Sequence, residues 1–97
     1  MAHYVILANY TEQGIQNVKD TGKRAKTLRD AAKGMGITIR DFFWTLGSYD
    51  VVFTMEGPND EAVASLMLKL GALGNLKSQT LRAFPESEIE GLLSKVG

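Results

Sequence analysis

The chain has 97 residues, of which 44% are hydrophobic and 23% charged. This length and composition predict one globular domain over residues 1–97 and exclude a two-domain protein. Eleven basic and eleven acidic residues give a formal net charge of zero, so no overall field favours nucleic acid or a membrane surface. With no cysteine, no signal peptide and no apolar run near the roughly 20 residues of a bilayer span, we expect a cytoplasmic protein without disulfides.

The first third of the chain predicts a strand followed by helix. Residues 4–10 are rich in β-branched and aromatic side chains, which favour a buried strand. Thr11 is placed to cap a short helical turn over residues 12–18. Asp20 or Thr21 caps a longer helix, which ends at Gly34 and Gly36. Its apolar face comprises Ala25, Leu28, Ala32 and Met35.

Two strand-like segments, residues 37–46 and 49–56, are separated only by Gly47 and Ser48. Glycine at the first central position favours a type II′ turn, so we predict an antiparallel hairpin with a defined register. The register pairs Leu46 with Tyr49, Trp44 with Val51, Phe42 with Phe53 and Arg40 with Met55. These eight residues share one face, and Asp41, Phe43, Thr45, Asp50, Val52 and Thr54 share the other.

A second helix and a fourth strand follow the hairpin. The turn residues 57–60 end the hairpin and cap a helix with a clean helical period. Its apolar face comprises Val63, Leu66, Met67, Leu70 and Leu73. Residues 76–83 predict a strand whose mixed polarity places it at a sheet edge. Over residues 86–96, acidic residues at the start and lysine at the end predict a C-terminal helix.

This order of elements predicts an α+β fold: a ferredoxin-like βαββαβ antiparallel sheet with its helices on one face, plus the C-terminal helix. The second face of the sheet still carries Val5, Leu7, Phe43 and Val52. Because a sheet face in water usually shows cleaner alternation, we expect a second, identical chain to cover it as a homodimer or higher homo-oligomer. A monomer with a few exposed aromatic side chains is the alternative.

The segment Trp44-Thr45-Leu46-Gly47-Ser48-Tyr49-Asp50 contains a Gly-x-Tyr-Asp motif. Other ordered blocks are Gln13-Gly14-Ile15, Asn17-Val18-Lys19-Asp20, Gly74-Asn75-Leu76 and Thr80-Leu81-Arg82-Ala83-Phe84. In these blocks and their spacing, the chain resembles the GYD domain family over about residues 3–88. The family often has Ser-Pro after Lys-Asp, where this chain has Thr21-Gly22. The resemblance implies a ferredoxin-like domain of the dimeric α+β barrel type, in a family whose biochemical activity is not established.

Asp50 and Tyr49 adjoin the predicted turn. A carboxylate beside an apolar sheet interface is able to act as a proton acceptor. An Asp next to a tight turn more commonly accepts hydrogen bonds that fix the hairpin, and this interpretation of Asp50 is favoured. The Tyr49 ring is expected to pack, with its hydroxyl directed to the rim.

Three further residues complete the candidate ligand-binding set of Trp44, Tyr49, Asp50, His3 and Asn9. Trp44, beside Phe42 and Phe53, is the first candidate for a pocket wall, although core filling is the commoner role of such a ring. His3 is the only histidine, yet at this position it is more often solvated than catalytic. Asn9 shares a strand face with His3 and offers an amide. No catalytic residue is assigned.

Charge is uneven along the chain. Residues 1–33 carry six basic and three acidic residues, and the remainder carries five and eight. Lys19, Lys23 and Arg24 at the start of the long helix form a weak candidate anion site, although a solvated helix face is the favoured interpretation. No metal or cofactor is predicted, because the chain offers one histidine and carboxylates without ligand-like spacing. Nucleic-acid binding is not predicted either.

Three functional classes remain. The favoured class is an uncharacterised homo-oligomeric module that binds a small apolar or anionic ligand. The alternative is a cofactor-free oxygenase or isomerase type of enzyme with a pocket near Trp44 and Tyr49, which rests on analogy with related barrels. The third is a protein whose sheet face serves assembly alone.

Overall fold

The computed structural model describes residues 1–97. The first half contains β1 (Ala2–Tyr10), α1 (Glu12–Gln16), a 3-10 turn at Val18–Asp20, α2 (Thr21–Gly34) and β2 (Thr38–Trp44). The second half contains β3 (Val51–Gly57), α3 (Asp60–Ala72), β4 (Leu76–Ala83), a 3-10 turn at Glu86–Glu88 and α4 (Ile89–Leu93). None of the helices is both long enough and apolar enough to cross a bilayer.

The four strands form one antiparallel sheet in the order β2-β3-β1-β4. α2 and α3 both pack on one side, which we call the front face, and the opposite side is the rear face. This arrangement confirms the predicted ferredoxin-like α+β fold and its C-terminal helix. β4 lies at the sheet edge, as its mixed polarity predicted, and β1 lies in the centre between β3 and β4.

The core lies entirely between the front face and the two long helices. Alternate residues of β3 and of the central part of β1 are buried there, because side chains alternate along a strand. The buried hydrophobic residues are Tyr4, Ile6, Ala8, Leu28, Ala32, Ile37, Ile39, Val51, Phe53, Met55, Val63 and Leu66. The helical faces predicted for α2 and α3 therefore supply the upper half of the core, through residues such as Leu28 and Leu66.

The hairpin register is confirmed near its loop and wrong at its far end. Trp44 pairs with Val51 and Phe42 with Phe53, whose rings stack with centroids 4.9 Å apart. The predicted pairing of Arg40 with Met55 is wrong, because a bulge adds one residue to β2 and Ile39 takes that place. Paired strand ends at Trp44 and Val51, so the predicted pair of Leu46 with Tyr49 lies in the loop. Leu46 is fully exposed instead of lying under the helices.

The short helix α1 forms a corner between the end of β1 and the start of β4. The Thr11 hydroxyl accepts a hydrogen bond from the Gly14 N–H at 3.0 Å, which confirms the predicted cap. The same hydroxyl donates to the Gly74 carbonyl at 2.5 Å. A Cβ added to Gly14 would lie 2.0 Å from the Asn75 carbonyl oxygen, so only glycine fits here. The corner therefore fixes how β1 enters the helical layer.

Candidate functional site

A cavity of about 320 Å³ lies between α2 and α3, above the front face of the sheet. Phe42 and Val51 of the sheet contribute its floor, and Leu28 of α2 and Leu70 of α3 contribute its walls. Most of the lining is hydrophobic. We call this space the interhelical cavity; it exists because the apolar side chains of the two helices do not fill the space above the sheet.

Two basic side chains are the only charged residues in the lining of the interhelical cavity. Arg24 comes from α2 and Lys69 from α3, and no acidic residue lines the space. Arg24 also donates from Nη1 to the Asn17 carbonyl at 3.1 Å, which orients its guanidinium. The cavity therefore combines an apolar interior with positive charge contributed by both helices.

One wall of the cavity is held by a small group of hydrogen bonds. The Trp44 Nε1–H donates to the Thr21 hydroxyl at 3.0 Å, and the Tyr10 hydroxyl lies 2.9 Å from the same oxygen. The Trp44 ring also lies 5.0 Å from the ring of Phe42. Thr21, Tyr10 and Phe42 line the cavity, whereas Trp44 contacts the lining without belonging to it. At 49% exposed, Trp44 does not fill the core, so the favoured core-filling interpretation is wrong.

The predicted anion-site residues separate in the structure. Of the three, only Arg24 lines the interhelical cavity; Lys19 lies in the 3-10 turn before α2, and Lys23 is exposed on its first turn. Lys69 was not predicted as a site residue from the sequence. A single lysine among the leucines of α3 carries no motif, and its relation to Arg24 depends on how the two helices cross.

The rear face carries an apolar strip that no element of the same chain covers fully. Val5, Leu7 and Val52 are half-buried along its centre. Phe43 on β2 is 56% exposed and Leu81 on β4 is 38% exposed, so the strip spans all four strands. The sequence prediction that both faces of the sheet are apolar is therefore confirmed.

One end of the rear face is polar. Glu56 lies between His3, whose Nε2 is 3.5 Å from a carboxylate oxygen, and the Arg40 guanidinium, which binds the other oxygen. The bulge in β2 brings Arg40 to this position, which corrects its predicted place on the front face. The hydrogen bond from Arg40 lowers the pKa of Glu56 below its ordinary value, against the opposing effect of desolvation. The positive charges of Arg40 and the N-terminus act in the same direction, as does His3 when it is protonated.

The remaining predicted residues lie away from the interhelical cavity. The Asp50 carboxylate accepts the Tyr10 backbone N–H at 2.9 Å, so its donor is on β1 and not in the hairpin, where the favoured interpretation expected it. The Tyr49 hydroxyl donates to Oε1 of Gln79 on β4 at 3.4 Å. Asn9 is half-buried on the rear face, opposite Lys77 in the β1–β4 pairing. The structure thus divides the candidate set between two faces of the sheet.

The family profile described as GYD domain matches residues 4–93. The chain belongs to the GYD domain family. A curated relative from Thermus thermophilus, named "Glutamine synthetase and cystathionine beta-lyase binding protein", is similar to this GYD domain. It is 27% identical over 90 residues, which are 92% of this chain and 95% of the relative.

In this GYD domain, the signature residues hold the hairpin loop against the rest of the sheet. Asp50 bonds to β1 through its carboxylate and through its own N–H, which donates to the Ala8 carbonyl at 2.9 Å. Tyr49 reaches β4. Tyr49 and His3 do not line the interhelical cavity, and no three His, Asp or Glu side chains cluster as a metal site.

Proposed function

We propose that this GYD domain is a homo-oligomeric interaction module of the cytoplasm that self-associates through the rear face of its sheet. The apolar strip from Phe43 to Leu81 is the observation that carries the proposal. A contiguous apolar surface on a small protein commonly marks a protein interface. A second copy is the simplest cover, because a two-fold axis would bring two identical strips together.

The segment that follows β4 supports the same proposal. We call residues 84–96 the C-terminal arm. Its side chains Phe84, Ile89, Leu93 and Val96 are between 42% and 77% exposed, and none packs against the core. The molecule measures 51 × 31 × 18 Å, which is elongated for a chain of this length. An arm with an unused apolar side gains burial when it lies against a second copy.

The polar end of the rear face would give the association its register. Arg40, Glu56 and His3 lie beside the apolar strip, where a misplaced partner would desolvate these charged groups against apolar surface. Apolar burial would supply the affinity, and this charged end would restrict the orientation of the two sheets.

Oligomers of this kind are suited to binding other proteins. The Thermus relative is named as a binding protein for glutamine synthetase and cystathionine beta-lyase, which supports protein partners for this chain as well. Both named partners are enzymes rather than small molecules. A homo-oligomer presents its binding surface more than once, and linked surfaces bind a multivalent partner more tightly than single ones.

Sedimentation velocity at low micromolar concentration tests the self-association. We expect the wild-type chain to sediment as a dimer or larger species and Phe43→Glu to sediment as a monomer with an unchanged circular dichroism spectrum. Leu68→Glu is the matched control, because Leu68 is 75% exposed on α3 and does not lie on the rear face. A monomeric wild-type protein, or equal effects of the two substitutions, would refute the proposed interface.

Binding to surface-immobilised glutamine synthetase, taken from the organism that encodes this chain, tests the partner class. We expect wild-type protein to bind and Phe43→Glu to bind at least tenfold more weakly, because the monomer loses multivalent attachment. Leu68→Glu again serves as the control. Equal binding by the monomeric variant would show that assembly does not contribute, and absence of wild-type binding would remove this enzyme as a partner.

A further inference from the structure

We propose that the interhelical cavity binds an apolar small molecule with one anionic head group, of which a medium-chain carboxylate is the simplest example. The proposal goes beyond the interaction module, since it concerns the opposite side of the sheet. It rests on the volume of the cavity, its lining and the sign of the charges on its two flanking helices.

The volume and lining fit an apolar ligand body. About 320 Å³ lies at the small end of the range of roughly 300–1,000 Å³ typical of small-molecule pockets. Leu28, Leu66, Leu70 and Phe42 present aliphatic and aromatic surface to this space. Water in such a space finds few hydrogen-bond partners, so an apolar occupant is favoured over solvent.

Two polar groups of the lining are hydrogen-bonded to each other. The hydroxyls of Thr21 and Tyr10 lie 2.9 Å apart and are hydrogen-bonded to each other. The Thr21 oxygen also accepts the Trp44 indole N–H. These groups use one of the two hydroxyl hydrogens on each other and keep one hydroxyl donor free, so a ligand body of methylene or ring carbons breaks none of the existing hydrogen bonds.

The charges select the head group. Arg24 and Lys69 are the only charged lining residues, so a carboxylate meets two cations and no competing anion. One Arg24 N–H group is used on the Asn17 carbonyl, and the guanidinium retains further donors for an oxygen pair. A cationic amphiphile would face like charge from both helices, and a neutral one would gain nothing from them.

The single tryptophan gives a direct measurement. Trp44 contacts Thr21 and Phe42 of the lining, so its fluorescence should change when the cavity fills. We would titrate the full chain with decanoate, kept below its micelle concentration, and with decanol as the uncharged match. Saturable binding of one decanoate per chain is expected, with decanol at least tenfold weaker.

Substitutions then locate the ligand. Arg24→Gln and Lys69→Gln should each weaken decanoate binding about tenfold, because each removes a charge-assisted hydrogen bond. Lys33→Gln, an exposed α2 residue outside the lining, should leave it unchanged. Ala31→Phe should abolish binding by filling the space, and its melting curve would confirm that it folds.

Several results would overturn the proposal. The first is the absence of a saturable fluorescence change with decanoate, and the second is decanol binding as tightly as decanoate. The third is decanoate affinity that neither Arg24→Gln nor Lys69→Gln changes. Binding that survives Ala31→Phe would place the ligand on the rear face or the C-terminal arm instead. Phe43→Glu should bind decanoate normally, so this proposal and the self-association proposal can fail independently; lost binding there would contradict a cavity built from one chain.

Discussion

The front and rear faces of one sheet are built from alternate residues of the same strands, yet the first is buried and the second is exposed. On the front face, Ile6 and Phe53 are 0% exposed beneath two helices. On the rear face, Phe43 remains 56% exposed with no helix above it. The two faces are similar in apolar character at their centres and differ in what covers them. Hydropathy alone therefore indicates that a face needs a cover, and topology decides whether the same chain provides it.

The charged groups of the two faces differ as well. The interhelical cavity above the front face carries the positive charges of Arg24 and Lys69, and one end of the rear face carries the Arg40–Glu56–His3 cluster. An opening between helices admits a small molecule, whereas an open sheet face admits another protein surface. One sheet thus offers two separate kinds of recognition.

The largest expected effect comes from placing the same substitution on each face. Phe53→Ala should lower the free energy of unfolding by about 3–5 kcal/mol, since it leaves a cavity in a closed core. Phe43→Ala should cost less than about 1 kcal/mol at high dilution, where the exposed ring has little contact to lose. Urea unfolding followed by circular dichroism measures both. If Phe43→Ala also cost several kcal/mol in the monomer, the contrast between the faces would be incorrect.

The corner that α1 forms between β1 and β4 provides the next test. Gly14→Ala should destabilise by about 3 kcal/mol, because the added Cβ meets the Asn75 carbonyl, which is backbone. Gly22→Ala is the matched control in α2: nothing lies within 4 Å of its added Cβ. That change should stabilise the protein by about 0.5–1 kcal/mol through helix propensity. Thermal melts of both variants decide the matter, and similar shifts would argue against a tight corner.

Asp50 lies at the junction between the hairpin loop and β1, so its substitution tests how strongly this residue holds the loop to the sheet. Asp50→Ala should cost about 1–2 kcal/mol, because it leaves the Tyr10 N–H without its charged acceptor. Asp30→Ala, on the exposed surface of α2, should change stability by less than about 0.5 kcal/mol. An unchanged melting temperature for Asp50→Ala would instead return this residue to the ligand-binding candidates.

The smallest effect concerns acid titration of the rear face. The lowered pKa of Glu56 means that its contribution to stability is present above about pH 4.5, its ordinary value, and is lost as pH falls through the folded value. Glu56→Gln should therefore reduce the loss of stability on acidification. Glu90→Gln on the C-terminal arm is the control. Urea midpoints between about pH 3 and 7 measure the slopes, and identical slopes for wild type and Glu56→Gln would contradict the ion cluster.

The fold could be predicted because each of its signals is local. The periods of α2 and α3, the caps at Thr11 and Asn59, and the alternation in β3 all act within a few residues. The bulge at Arg40 could not be predicted in this way. Alternation assigns residues to the correct faces only where a strand has no bulge. The additional residue in β2 moves Arg40 to the rear face, and nothing in the residue types of the strand indicates this shift.

The candidate site was predicted only in part, for a different reason. Arg24 and the surroundings of Trp44 were singled out from charge and aromatic character, and both adjoin the interhelical cavity. Lys69 and the cavity itself depend on the separation of two helices distant in sequence. No local pattern encodes that separation. His3 and Asn9 were placed on the same strand face by parity, but parity does not say what lies opposite that face.

The central position of β1 has a consequence for how the molecule forms. This strand is synthesised before either of its neighbours, and it pairs on one side with β3 and on the other with β4, where His3 meets Ala83. Its second ladder cannot close until β4 has left the ribosome. Such distant pairings slow folding, so the nascent β1 segment waits with its apolar side chains unprotected. Closure of the sheet is therefore a late step in the formation of this molecule.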